Sequence, residues 1–172
     1  MKRRKLHSSR AATYEVVKEK GLTLLSSEHA DRIAHPNKIF RSISETDYAD
    51  LIIFCVKEYD LDNVCAALKK KVTKDTVLLP LMNGVDTYER IRRVFSHGVI
   101  IPACVYVASH IKEKGVIEHQ GNPGKIILEK DPNNAHFNPQ QIVKLLKDAG
   151  IDVEYKEHPF PDIWTKFIFI AS

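Results

Sequence analysis

The chain has 172 residues, 44% of them hydrophobic and 28% charged, and a formal net charge of +4. These values suit a globular chain of one domain or slightly more and exclude a disordered one. No apolar run is long enough to span a bilayer, and no apolar stretch follows the basic start MKRRKLHSSR, so neither a membrane partner nor a secretory leader is expected.

In chain order, the first feature is that basic start, with Lys2, Arg3, Arg4, Lys5 and Arg10. No aromatic residue interleaves with these charges and no nucleic-acid-binding motif follows. The stretch reads as a solvated terminus, and nucleic acid is not an expected partner. AATYEVVKEK (11–20) has helical composition, with Gly21 placed to end the helix. LTLL (22–25) is a short strand-like run, residues 26–49 are polar and irregular, and KIF (38–40) is a candidate strand. DLIIFCVK (50–57) is a continuous apolar run of the kind that forms a central parallel strand buried on both faces. LDNVCAALKKKV (61–72) sets Leu61, Val64, Cys65, Leu68 and Val72 at helical spacing opposite a lysine-rich face.

TVLLPLM (76–82) is the next strand, weakened as a prediction by Pro80. It ends at Asn83-Gly84, and TYERIRRVF (87–95) follows as a helix. GVIIPACVYVAS (98–109) is a further apolar strand. GVIEHQG (115–121) and GKIILEK (124–130) read as a hairpin about a Gly-Asn-Pro-Gly turn. Asn138 and Pro139 open a helix that Gly150 closes. IDVEYKE (151–157) is a strand, and PDIWTKFIFIAS (161–172) begins a very apolar helix. Strand–helix alternation through residue 95 predicts an α/β fold on a mostly parallel sheet with a hairpin-rich edge.

In a parallel sheet the ends of the strands share one edge, where such folds bind ligands. Lys57, Asn83-Gly84 and the Ala108 backbone are the candidates there. Each has a plain alternative: Lys57 as an amphipathic lysine at a strand end, Asn83 as a turn residue. Gly84 serves backbone geometry under either reading. Lys166, inside WTKFIF, is exposed at the edge of an amphipathic helix or partly desolvated with a lowered pKa, and the second state suits a proton donor. The eight histidines show no metal-ligand spacing, and His119 reads as structural. Cys55, Cys65 and Cys104 are widely spaced and odd in number, which fits a reducing cytoplasm. Cys55 and Cys104 read as small buried hydrophobes.

Five stretches in order carry a resemblance: KGLTL (20–24) after a helix, ADLIIFCVKEYDLDNV (49–64), LLPLMNGVDTYERI (78–91), GVIEHQGNPGKIILE (115–129) and PDIWTKFIFIA (161–171). Together they resemble the central part of ketopantoate reductase (2-dehydropantoate 2-reductase). The resemblance implies a partial Rossmann-like (doubly wound) sheet. It implies an incomplete NADP-binding domain over 1–160 and the start of a helical C-terminal domain over 161–172. It implies an NADPH-dependent oxidoreductase of the cytoplasm that reduces a small 2-oxo acid, on the route to pantothenate. Lys166 matches the family's catalytic lysine, a general acid; Lys57, Asn83, Gly84 and Ala108 match its cofactor cleft. The GxGxxG turn of the family is absent from the chain, and Ile170 stands where the family has a substrate-binding Asn. Both ends look cut from a larger protein, which implies that these 172 residues alone are inactive. The apolar WTKFIFIA stretch then points to self-association. A truncated, non-catalytic interaction or regulatory module is the alternative.

Overall fold

The computed structural model describes residues 7–27, 30–121, 124–158 and 160–171, with side chains described for 12–169 of these. The basic residues Lys2, Arg3, Arg4 and Lys5 lie outside them. In chain order the elements are α1 (His7–Lys20), β1 (Leu22–Ser26), β2 (Arg32–Ala34), β3 (Leu51–Phe54), α2 (Leu61–Leu68), β4 (Val77–Pro80), α3 (Thr87–Val94), β5 (Val99–Ile100), β6 (Ala103–Tyr106), β7 (Ser109–Glu113), β8 (Val116–His119), β9 (Lys125–Glu129), α4 (Gln140–Asp148), β10 (Val153–Lys156) and α5 (Pro161–Ala171). The chain divides into two compact units, Met1–Glu45 with Val107–Pro123, and Thr46–Tyr106 with Gly124–Ser172.

The first unit holds the sheet β2-β1-β8-β7. β1 runs parallel to β8, and the pairs β1–β2 and β7–β8 are antiparallel. α1 ends as its sequence predicts: Gly21, at φ +77°, turns its N–H onto the Val17 carbonyl at 2.9 Å. His119 is buried, its Nδ1 3.1 Å from Ser26 Oγ, the structural place expected of it. KIF (38–40) forms no strand; the strand of this region is β2, inside the stretch expected to be irregular.

The second unit holds two three-stranded sheets, the parallel β3-β4-β5 and β10-β9-β6. β9 is parallel to β10 and antiparallel to β6. Leu79, Ile101, Leu128, Ile142, Val143 and Leu146 bring strands from both sheets and α4 into one core. Each large side chain fully buried there stabilises the fold by about 1.5–3 kcal/mol. The expected α/β fold, with a parallel sheet and antiparallel edges, is present.

Four local expectations change. β4, not β3, is the central strand of its sheet and is buried throughout, Pro80 included. β3 is an edge, so Ile53 is 45% exposed and Cys55 is exposed rather than a buried hydrophobe. The run 98–109 is no single strand. Ile101 gives the last ladder bond, N–H to the Leu78 carbonyl at 3.0 Å, and Pro102 then has no N–H to give, so the chain passes to the second sheet as β6. Finally, β8 and β9 do not form a hairpin with each other: they lie in different units, and the hairpin is β7–β8, closed at Lys114-Gly115. Among the described residues no helix is long and apolar enough to cross a membrane.

Candidate functional site

The turn after β4 is built by local chemistry. The Leu81 N–H extends the ladder to the Phe54 carbonyl at 2.9 Å, and the chain then reverses at Met82-Asn83-Gly84. Gly84 sits at φ +136°, and a Cβ there would stand 2.7 Å from Thr87 Oγ1. The Thr87 hydroxyl donates to the Gly84 carbonyl at 3.3 Å, tying the turn to the first residue of α3. Asn83 is thereby set at the carboxyl end of the central strand.

The start of α5 is built from a distance. Glu129, at the end of β9, is fully buried. Its two carboxylate oxygens accept the N–H of Phe160 at 2.5 Å and of Asp162 at 3.0 Å. Burial holds the Glu129 carboxyl above the usual carboxylate range, and those two backbone donors offset only part of that rise. Asp162 also pairs with Lys156 at 2.8 Å.

One turn further along α5, Lys166 Nζ donates to Asn83 Oδ1 at 2.8 Å and to the Val105 carbonyl of β6. It lies 5.6 Å from the centre of the Tyr106 ring. Burial holds its ammonium below the ordinary lysine range, the weaker influence of Cys104 acting upward. The Lys166 side chain is of intermediate exposure.

Lys166 and Asn83 face a cavity of about 280 Å³ lined by Glu58, Met82, Asn83, Gly84, Ala103, Cys104, Ile163, Lys166 and Phe167. The walls are mostly apolar, with Lys166, Asn83 and Glu58 as the polar side chains, the composition of a small-molecule site. Burial, reinforced by the charge of Glu129, pushes the Cys104 thiol up to about 11 despite the opposing pull of Lys166.

Of the candidates from sequence, the structure brings together Lys166, Asn83 and Gly84. Lys57 is exposed at the head of a 3-10 turn (Glu58–Asp60), next to the cavity residue Glu58, and its carbonyl accepts the Asp60 N–H at 2.9 Å. Ala108 belongs to the other unit, where its carbonyl accepts the Gln120 N–H at 3.1 Å. The shared edge expected for three strand ends holds only for β3 and β4, because the third run is broken at Pro102. Ile170 lies in the last turn of α5, its side chain outside the described ones. Sequence reading missed Glu129, Met82, Ile163 and Phe167; the one available signal was a lone acid closing the apolar run IILE. Among the described residues no three His, Cys, Asp or Glu side chains are grouped to hold a metal ion.

The profile of the family described as ketopantoate reductase PanE/ApbA matches residues 6–133. The chain belongs to this family. Asn83 and Gly84 fall within the matched stretch, and Lys166 lies beyond it. An uncharacterized oxidoreductase, YkpB, of Bacillus subtilis (strain 168) is 25% identical over 158 residues, covering 92% of this chain and 51% of that protein. A 2-dehydropantoate 2-reductase of Streptococcus pyogenes serotype M6 is 28% identical over 151 residues, 87% of this chain and 48% of its own. The crystal structure of a PanE/ApbA family ketopantoate reductase from Ralstonia eutropha JMP134 is similar at TM-score 0.76 and 25% identity, over 91% of this chain and 49% of that one. D-mandelate dehydrogenase, in a ternary structure with NADH and anilino(oxo)acetate, shares the fold at TM-score 0.73 and 20% identity, over 86% of this chain and 47% of that one. The chain spans about half the length of the relatives it matches. Its α/β architecture is the Rossmann-like one of these reductases.

Proposed function

We propose that the cavity is the nicotinamide and substrate end of an NADPH-dependent reductase acting on a small 2-oxo acid in the cytoplasm. The observation that carries this reading is Lys166: a half-buried ammonium aimed at an apolar cavity and held by Asn83 and the Val105 carbonyl. The residues present fit the nicotinamide end of a dinucleotide. Met82, Ala103, Ile163 and Phe167 supply apolar walls for a flat ring, Gly84 leaves room for close approach, and the Asn83 amide supplies a donor and an acceptor. The cofactor, when bound, supplies a hydride. Lys166 then donates a proton to the substrate carbonyl oxygen, and its charge stabilises the alkoxide as it develops. Asn83 and Val105 fix where that proton is presented. Lys57 and the Ala108 backbone are further proposed cofactor contacts, on the resemblance alone. Ile170 argues against naming ketopantoate itself, since an apolar side chain offers no hydrogen bond. The resemblance also supports α5 as the opening helix of a second, helical domain.

A second reading has its own observation. Trp164, Ile168 and Phe169 are exposed on α5, which favours a non-catalytic interaction or regulatory module docking through that helix. Titration with NADPH, followed by fluorescence, separates the two. Saturable binding that Lys57→Ala weakens, with consumption of NADPH when a panel of 2-oxo acids is added, supports the reductase. No saturable binding up to roughly millimolar cofactor, where binding would contribute only about 4 kcal/mol, overturns it and favours the module.

A further inference from the structure

We infer that Glu129, which does not line the cavity, is the positioning residue for Lys166: its buried carboxylate fixes the first turn of α5 and thereby sets where the lysine is presented. This inference rests on the reductase reading for its functional meaning, but its geometry stands apart from it.

A helix leaves its first N–H groups without internal partners, and a local Ser, Thr, Asp or Asn usually serves them. α5 has no such cap. The residue before it is Phe160, an apolar side chain held at φ +77°, a conformation costing about 1–3 kcal/mol outside glycine. The N–H groups of Phe160 and Asp162 go instead to Glu129, 31 and 33 residues earlier in the chain. A carboxylate at the positive end of a helix is favourably placed, which offsets part of the cost of burying it. Lys166 follows Asp162 by four residues, so the two stand on the same face, one turn apart. Between them Ile163 is buried against Cys104 and Ile127.

The sheet closes this frame. β9 carries Glu129 and β6 carries the Val105 carbonyl, and these strands are hydrogen-bonded neighbours with Cys104 opposite Ile127. α5 is thus held at its start by one strand and at Lys166 by the next. The Lys156–Asp162 pair also touches the first turn, but it is partly exposed, and such pairs contribute at most about 1 kcal/mol. Removing Glu129 takes the carboxylate acceptors away from two partly buried N–H groups. The first turn then reorganises, and Lys166 is released from its pocket towards water.

The test reads Lys166 directly. Wild-type and Glu129→Gln chains are exposed to brief acylation with an N-hydroxysuccinimide acetate across a range of alkaline pH. Modification of Lys166 is quantified by peptide mass spectrometry against the exposed Lys144. In the wild type the Lys166 midpoint lies below the ordinary lysine range. In Glu129→Gln it rises towards that range. An unchanged Lys166 midpoint in a variant with wild-type circular dichroism and cooperative unfolding overturns the inference. Glu129→Asp, which keeps the charge but is one methylene too short to reach both amides, carries the same comparison if the Gln variant does not fold. Turnover gives a second arm: Glu129→Gln lowers kcat by roughly tenfold to a hundredfold, the cost of a misplaced catalytic group, leaves the KM for NADPH unchanged, and adds nothing in a Lys166→Ala background. An equal further loss in that background also overturns it. The acylation arm needs no activity, so it decides the inference even if these 172 residues alone show no turnover.

Discussion

Lys166 and Gly84 carry the predictions at the scale of single residues. Lys166→Ala is expected to lower reduction of a 2-oxo acid by about 10²–10⁴-fold, the range for a positioned general acid, with NADPH binding retained. The pH dependence follows from the direction of its shift. Burial holds the folded pKa below 10.5, and the acid must carry its proton, so kcat falls as pH rises through a value below 10.5. The stability linkage has the opposite slope. Between the folded value and 10.5 the unfolded chain binds the extra proton, so this lysine's contribution to stability rises with pH across that window. A kcat profile flat to pH 10.5 would show that Lys166 is not the acid. Gly84→Ala tests the turn: at φ +136°, with Thr87 Oγ1 only 2.7 Å from the new Cβ, it is expected to cost about 1–3 kcal/mol. Urea unfolding measures that, and a loss under a few tenths of a kcal/mol would show that the turn relaxes freely. Both residues were legible in the sequence, Lys166 as a charge inside an apolar helix and Gly84 as turn chemistry. What sequence did not show is that they meet.

At the scale of elements, Asp131 holds α3 through two of its side chains. It is buried just past β9 and accepts from Tyr88 Oη at 2.8 Å, Arg92 at 2.8 Å, the Ile100 N–H at 2.9 Å and the Asn134 side chain at 2.7 Å. One carboxylate therefore ties α3, β5 and the following turn together. Asp131→Ala strands the half-buried Arg92 charge and several donors, and is expected to destabilise by about 3–5 kcal/mol. Chemical unfolding showing less than about 1 kcal/mol would mean that water or a rearranged Arg92 takes over. The helices themselves are local products. Ile142, Val143 and Leu146 of α4 are buried at helical spacing; the Asn138 side chain accepts the Gln140 N–H at 3.0 Å, but the cap position falls one residue later than expected, on Pro139. β3 was misjudged because an apolar run shows that a strand is sticky, not whether it is central. Centrality depends on how many neighbours the strand acquires.

At the scale of the whole molecule, α5 presents Trp164 at 51%, Ile168 at 66% and Phe169 at 77% exposure. We propose that purified chains associate through this face, since a contiguous apolar patch is costly to leave in water. Light scattering after size exclusion is expected to give a mass above the 19.6 kDa of one chain, rising with concentration. Trp164→Arg with Ile168→Glu should return the mass to a single chain. A wild type that stays at one chain's mass at all concentrations would refute the proposal.

The sequence by itself determined the kinds of element, the α/β class, the strand–turn–helix unit from Val77 to Val94 and the family resemblance. Those properties follow from periodicity, turn residues and caps, which act over a few neighbours. Only the tertiary structure decided which sheet each strand joins. The pattern of GVIEHQGNPGKIILE is the same whether β8 and β9 pair with each other or go to separate units, because pairing is a choice among distant partners. The site was decided in the same way. Lys166 meets Asn83 across 83 residues of chain, and Glu129 reaches Phe160 across 31. No local signal encodes contacts at such separations; they exist because the packed core brings the ends of β4, β6 and β9 to one end of α5.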